Sequence, residues 1–151
     1  MSAAPDNALV VDAAIAAKWH LTDEEHTDKA RLILLDFARG KTHLYAPFHI
    51  RYEVPFAITA ATMGVNPRLT QAQGKEAIED FLALDIQTTE TEELIQKAYP
   101  LVTRYGCTFY DALYLALAQS LVIPLVTADH KLYQRLSHLP DIVWLGDYSP
   151  A

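Results

Sequence analysis

The sequence predicts an α/β protein built on a mostly parallel sheet of about five strands. Three observations predict it. Short β-branched and aliphatic runs alternate along the chain with longer segments of helical periodicity, the pattern of repeated strand–helix units. Two of the runs, residues 9–11 and 122–127, lack polar alternation, as expected of strands covered on both faces. Each is followed by an aspartate: Asp12 directly after the first, Asp129 two residues after the second. In an open parallel sheet, ligands bind outside the carboxyl ends of the strands. Two strands that finish in aspartates would set both carboxylates on that rim.

The elements follow in order. Residues 1–7 read as a loose tail and residues 8–11 as the first strand. After Asp12, AAIAAKWHL reads as a short apolar helix. Thr22 with Glu25 has the spacing of a capping box and predicts a helix start there, with Leu32, Leu35 and Ala38 on its apolar face. Gly40 suits the residue that closes that helix. Residues 43–46 read as a strand, and Pro47 as the first residue of the next helix. That start puts Glu53 about two turns in. Pro55 predicts a kink or a break, because an interior proline costs about 3 kcal/mol.

Residues 64–67 form a loop. Thr70 and Gln73 make a second capping box, before a helix with Ala77, Ile78, Phe81 and Leu82 on its core face. Residues 84–88 alternate like a strand, and Thr89 with Glu92 has box spacing again. The next helix carries Leu94, Ala98 and Leu101, holds Pro100 as a second irregularity, and ends at Gly106. Thr108 is a natural N-cap for a helix that opens with Phe109, Tyr110 and Asp111. Residues 112–118 are apolar all round, as in a helix packed inside a domain. Residues 130–136 read as a short helix and residues 142–145 as a last strand.

Composition bounds the function. The chain of 151 residues has the size of one domain, spanning 1–151, and no internal repeat or linker divides it. A hydrophobic share of 51% with 21% charged residues is that of a globular protein rather than a disordered one. The most apolar window, residues 112–128, is interrupted by Gln119, Ser120 and Pro124, so it reads as two buried elements rather than a membrane span. One cysteine, Cys107, excludes an intrachain disulfide; with no signal-like N-terminus this predicts a cytoplasmic, reducing compartment. The net charge of −7 argues against broad nucleic-acid binding through lysine and arginine. It leaves room for a nuclease, because bound cations reverse the local sign of an acidic cluster.

Four acids are the candidates: Asp12, Glu53, Asp111 and Asp129. Each has a plainer alternative. Asp12 and Asp129 could serve as N-caps, Asp111 could favour a helix dipole, and Glu53 could face solvent. Taken as a set they point to chemistry. Two carboxylates about 4 Å apart repel by about 4 kcal/mol at an effective dielectric of 20, so a cluster must be protonated or hold cations. Hard oxygen donors select Mg²⁺ or Mn²⁺. The six histidines, His20, His26, His43, His49, His130 and His138, are scattered without HExxH spacing, which excludes the usual catalytic zinc motif. The GxGxxG, GxxxxGK[ST] and GxSxG patterns are missing. Position 14 is alanine where a haloacid-dehalogenase-type phosphatase has its second aspartate.

DAAIAAKW after a strand, RYEVPFAI with its glutamate, TFYDALYLALA and LVTAD occur in this order and at spacing that resembles the PIN-domain family, most of all its VapC-type ribonuclease toxins. The resemblance covers nearly the whole chain. It implies a three-layer α/β/α sandwich. It implies a Mg²⁺- or Mn²⁺-dependent endoribonuclease, the toxin of a toxin–antitoxin pair, with four acidic positions at Asp12, Glu53, Asp111 and Asp129. Of these, Asp12, Asp111 and Asp129 would hold metal and Glu53 would complete the site. Thr127 matches a frequent hydroxyl of the family and would support a carboxylate. RNA substrate, a homodimer and a cognate antitoxin are the implied partners. Lys18, Arg51 and Lys131, near the acids in sequence, are candidates for holding the RNA backbone. The chain departs from many relatives at Ala14, where they carry serine, and at Pro55. Two rival readings share the fold: a nuclease of DNA or of RNA processing without an antitoxin, and a noncatalytic interaction module.

Overall fold

The computed structural model describes residues 4–150. Its elements are β1 (Ala8–Val11), α1 (Ala13–Lys18), α2 (Thr27–Ala38), β2 (His43–Pro47), α3 (Ile50–Ala61), α4 (Gln71–Ala83), β3 (Gln87–Thr89), α5 (Glu92–Tyr105), α6 (Phe109–Leu121), β4 (Leu125–Thr127), α7 (His130–Leu136) and β5 (Ile142–Trp144), then a 3-10 turn at Leu145–Asp147. The five strands form one parallel sheet in the order β3-β2-β1-β4-β5. β1 therefore runs through the middle, with Val10 paired to both Tyr45 and Leu125.

Alternation along β1 divides the core between the two faces. Val10, with Ala46 and Leu125, packs on α3, α5 and α6 through Ile50, Val54, Ala98, Leu113 and Leu117. Val11, with Leu44 and Val126, faces Ile15, Ala30, Ile33 and Leu145 on the other side. Helices thus cover both faces, and the expected three layers are present. From Ala112 to Ala118, every residue of α6 is buried, as the all-round apolar sequence requires. No helix among the described residues is long and apolar enough to cross a membrane.

Several local expectations are corrected. Of the expected tail, residues 1–3 lie outside the described residues. Asn7 is not loose: its carbonyl accepts from His43 N at 2.8 Å and its side chain donates to Lys41 O at 2.8 Å. Thr22 caps nothing. The chain uses Asp23 and Glu24 to bind Arg68, and α2 starts five residues later, behind a left-handed His26 without a side-chain cap. Pro47 is the last residue of β2, paired with Thr89, and α3 begins at Ile50. Glu53 consequently lies in the first turn of α3 rather than two turns in. Pro55 does not break that helix. Ile50, Val54, Ile58 and Ala61 form one buried stripe that holds α3 to the core on both sides of the proline, and this burial outweighs one missing hydrogen bond. The third strand starts at Gln87, not Leu84, and Thr89 belongs to it, so Thr91 caps α5 instead by accepting from Leu94 N at 3.2 Å. α5 likewise runs unbroken through Pro100. Thr70 and Gln73 do form the reciprocal box, at 3.1 and 2.9 Å.

Val122 is also reassigned. It is not the first residue of β4 but the left-handed residue that ends α6, at φ +56°. Its N–H reaches Gln119 O at 3.3 Å, and Ile123 N reaches Ala118 O at 3.1 Å, which closes the helix in Schellman fashion. α2 closes the same way, but on Gly40 at φ +72°. A β-branched residue in this conformation is strained by about 1–2 kcal/mol, and Val122 is 82% exposed, so it recovers little through packing. Val122→Gly is expected to raise stability by up to about 1 kcal/mol after the extra chain entropy of glycine is subtracted. Urea unfolding of both proteins checks this; an unchanged or lower midpoint would contradict the strain.

Candidate active site

The site grows from the junction of β1 and β4. Val11 pairs with Val126, so the next residues, Asp12 just past β1 and Thr127 at the end of β4, stand side by side. Asp12 is buried. Its Oδ1 accepts from Ile15 N at 3.0 Å, which caps α1. Its Oδ2 accepts the Thr127 hydroxyl and, at 3.2 Å, Ala128 N. The same Thr127 oxygen accepts from Asp129 N at 3.0 Å. Asp129 in turn caps α7 by accepting from Leu132 N at 3.1 Å. Capping and clustering are therefore not exclusive: both aspartates do both.

Asp111 comes from the first turn of α6, fixed by Thr108, whose oxygen accepts from Asp111 N at 3.1 Å. Glu53 comes from the first turn of α3. Repulsion links the four acids pair by pair: Asp12 with Asp129, Asp129 with Asp111, and Asp111 with Glu53. Burial, above all, pushes Asp12 up to about 6; donors from Thr127, Ile15 and Ala128 pull it back, and Asp129 raises it again. Burial also raises Asp111, against the pull of Thr108, with Asp129 and Glu53 adding repulsion. Among the described residues none of Asp12, Asp111 and Asp129 pairs with a lysine or arginine. Nor do any three His, Cys, Asp or Glu side chains stand close enough, as placed, to enclose a metal ion. The donor chemistry still fits a hard cation. All four groups are carboxylates, their charge is unneutralised, and Mg²⁺ typically takes one or two carboxylates and completes its shell with water and substrate phosphate.

Two further side chains, Tyr114 and His49, stand against Glu53. Tyr114, buried on α6, donates its hydroxyl to Glu53 Oε1 at 2.8 Å. Its ionisation is pushed well up, by burial first and then by Glu53. His49 Nε2 sits 2.8 Å from the same oxygen but off the hydrogen-bonding direction. The i,i+4 spacing of His49 and Glu53 was a usable signal; nothing local marked Tyr114 as more than a core residue. A groove of about 420 Å³ opens beside Glu53 between α1 and α3, lined by Ala13, Ala14, Ala17, Tyr52 and Phe56. Of the candidate cations, Lys18 is engaged with Glu24 at 3.4 Å. Lys131 is exposed and Arg51 half-buried.

The Asp12 environment has a consequence for metal-free protein. Its carboxyl titrates near 3.8 when unfolded and about 6 when folded, so the folded state holds the proton more tightly. The stability this gives is fully present below about pH 4 and lost as pH rises through about 6. Two pH units correspond to about 3 kcal/mol. In EDTA, wild type should lose about that much relative to Asp12→Asn between pH 4 and 7.5. Urea unfolding at both pH values measures it, and parallel profiles would refute the assignment.

Comparison with known proteins agrees with this architecture. The PIN domain pattern matches residues 9–137. Ribonuclease VapC12 of Mycobacterium tuberculosis, recorded in two strains, is 32% identical over 134 residues, covering 89% of this chain and 96% of the relative. Ribonuclease VapC1 of the same organism is 33% identical over 88 residues, 58% of this chain and 63% of the relative. The crystal structure of PAE2754 from Pyrobaculum aerophilum superposes with a TM-score of 0.58, covering 92% of both chains at 22% identity, a likeness of fold. A match over most of its length, together with relatives of this similarity, shows that the chain belongs to the PIN-domain family, in its VapC-type branch.

Proposed function

We propose that this protein is a Mg²⁺- or Mn²⁺-dependent endoribonuclease and the toxin of a type II toxin–antitoxin pair. The observation that carries the reading is the repulsion that links Asp12 to Asp129, Asp129 to Asp111 and Asp111 to Glu53, with no lysine or arginine paired to any of them among the described residues. A fold that gathers these charges without a lysine or arginine partner loses stability unless a cation joins them. The names of the VapC relatives supply RNA as the substrate.

In this reading Asp12, Asp111 and Asp129 hold the metal, and Glu53 completes the site directly or through water. The cation, when bound, lowers the pKa of water and offsets charge on the phosphate. The chain does the rest. Thr127 and Ala128 N fix the Asp12 carboxylate, and Glu53 and Asp111 are supplied by the first turns of α3 and α6. Without the cation the carboxylates would repel the RNA backbone. Lys131 and Arg51 are the remaining candidates for steadying that backbone, since Lys18 is engaged by Glu24.

A second copy and an antitoxin are the proposed protein partners. Tyr52 on α3, Ile95 on α5 and Tyr110 on α6, each at least half exposed, line one groove, an apolar surface suited to a partner. The net charge of −7 suits an inhibitory segment with basic side chains.

Cleavage of mixed RNAs with Mg²⁺, with Mn²⁺ and with EDTA tests the reading; cutting should need the metal. Asp111→Asn should reduce cleavage by about a hundredfold or more, since even groups behind the ligands are worth 10- to 100-fold. In EDTA its melting temperature should equal or exceed that of wild type, because one repelling charge is gone. Its gain on adding Mg²⁺ should shrink, as that gain measures binding to the native state. Equal metal-induced shifts in both proteins, with activity retained, would remove Asp111 from the site.

A further inference from the structure

We propose that the Tyr114 hydroxyl is a positioning group for cleavage: it fixes the Glu53 carboxylate at the edge of the acidic site. This rests on the ribonuclease reading above. From Ala112 to Ala118, Tyr114 contributes the one polar side-chain atom in an otherwise apolar, wholly buried run. Phenylalanine would fill the same space without a hydroxyl to satisfy, and a buried hydroxyl without a partner is destabilising. The hydroxyl does have a partner, 61 residues away: Glu53 Oε1 at 2.8 Å. Tyr114 also lies three residues after Asp111, so one face of α6 presents both to the site.

Glu53 needs such a tether. Its side chain is 40% exposed, and a free glutamate loses considerable rotamer entropy when ordered. His49, with its ring centroid 4.9 Å from that of Tyr110 and 5.0 Å from that of Tyr114, brings Nε2 to within 2.8 Å of the same Oε1. Both contacts fall on one oxygen, so Oε2 is left to the site. A hydroxyl donating to a carboxylate makes a short, strong hydrogen bond.

The test is a double-mutant cycle of wild type, Tyr114→Phe, Glu53→Ala and the double variant. Two readouts are taken: kcat and KM on an RNA that the wild type cleaves, and the rise in melting temperature caused by Mn²⁺. Tyr114→Phe should lower kcat by about 10- to 100-fold with KM within about twofold, and should reduce the Mn²⁺-induced rise. In the Glu53→Ala background the same change should have almost no effect on either readout, because its target is gone. Equal effects in both backgrounds, or a Tyr114→Phe enzyme with wild-type kcat, would reduce Tyr114 to packing. If wild type cleaves no RNA, the ribonuclease reading falls by itself. The Mn²⁺ cycle then still decides, and equal rises in wild type and Tyr114→Phe overturn the proposal.

Discussion

The structure depends on how one buried carboxylate is satisfied. Asp12 sits where the central strand ends, in a place where an ionised acid is expensive unless donors surround it. Its donors come from two directions. Ile15 N belongs to the helix that follows, and the Thr127 hydroxyl and Ala128 N belong to the end of the neighbouring strand. These bonds turn α1 away from the sheet and fasten β4 against β1. The hydroxyl of Thr127 also accepts from Asp129 N, so a single side chain sets the separation of two acids.

Around this anchor the fold repeats one device. Asp12 and Asp129 each accept a backbone N–H in the first turn of a helix, and Asp111 and Glu53 lie in first turns themselves. Each acid thus lies at the positive end of a helix, which favours its negative charge. That partly offsets repulsion that, among the described residues, no lysine or arginine offsets.

The central features of fold and site could be read from local patterns because local chemistry determines them. LVVD and LVTAD each state a buried strand and the acid at its end, and Thr108 with Asp111 states a helix start. Patterns failed where the same letters had a competing use. Thr22–Glu25 and Thr70–Gln73 have the same spacing, but only the second forms a box, since residues around the first are drawn to Arg68. Thr89 lost its capping role to pairing with Pro47. Tyr114 was illegible as a site residue because its partner lies 61 positions away, a distance only the folded chain closes.

The order of the strands has a consequence for biosynthesis. β1 is made first yet ends between β2 and β4, and the bond from Thr127 to Asp12 spans 115 residues. Closing so long a loop is entropically late in folding. Of the donors to Asp12, a nascent chain therefore has only Ile15 N to offer until the end of β4 has emerged from the ribosome. Until then Asp12 lacks two of its donors, the Thr127 hydroxyl and Ala128 N, and also the neighbouring charge of Asp129.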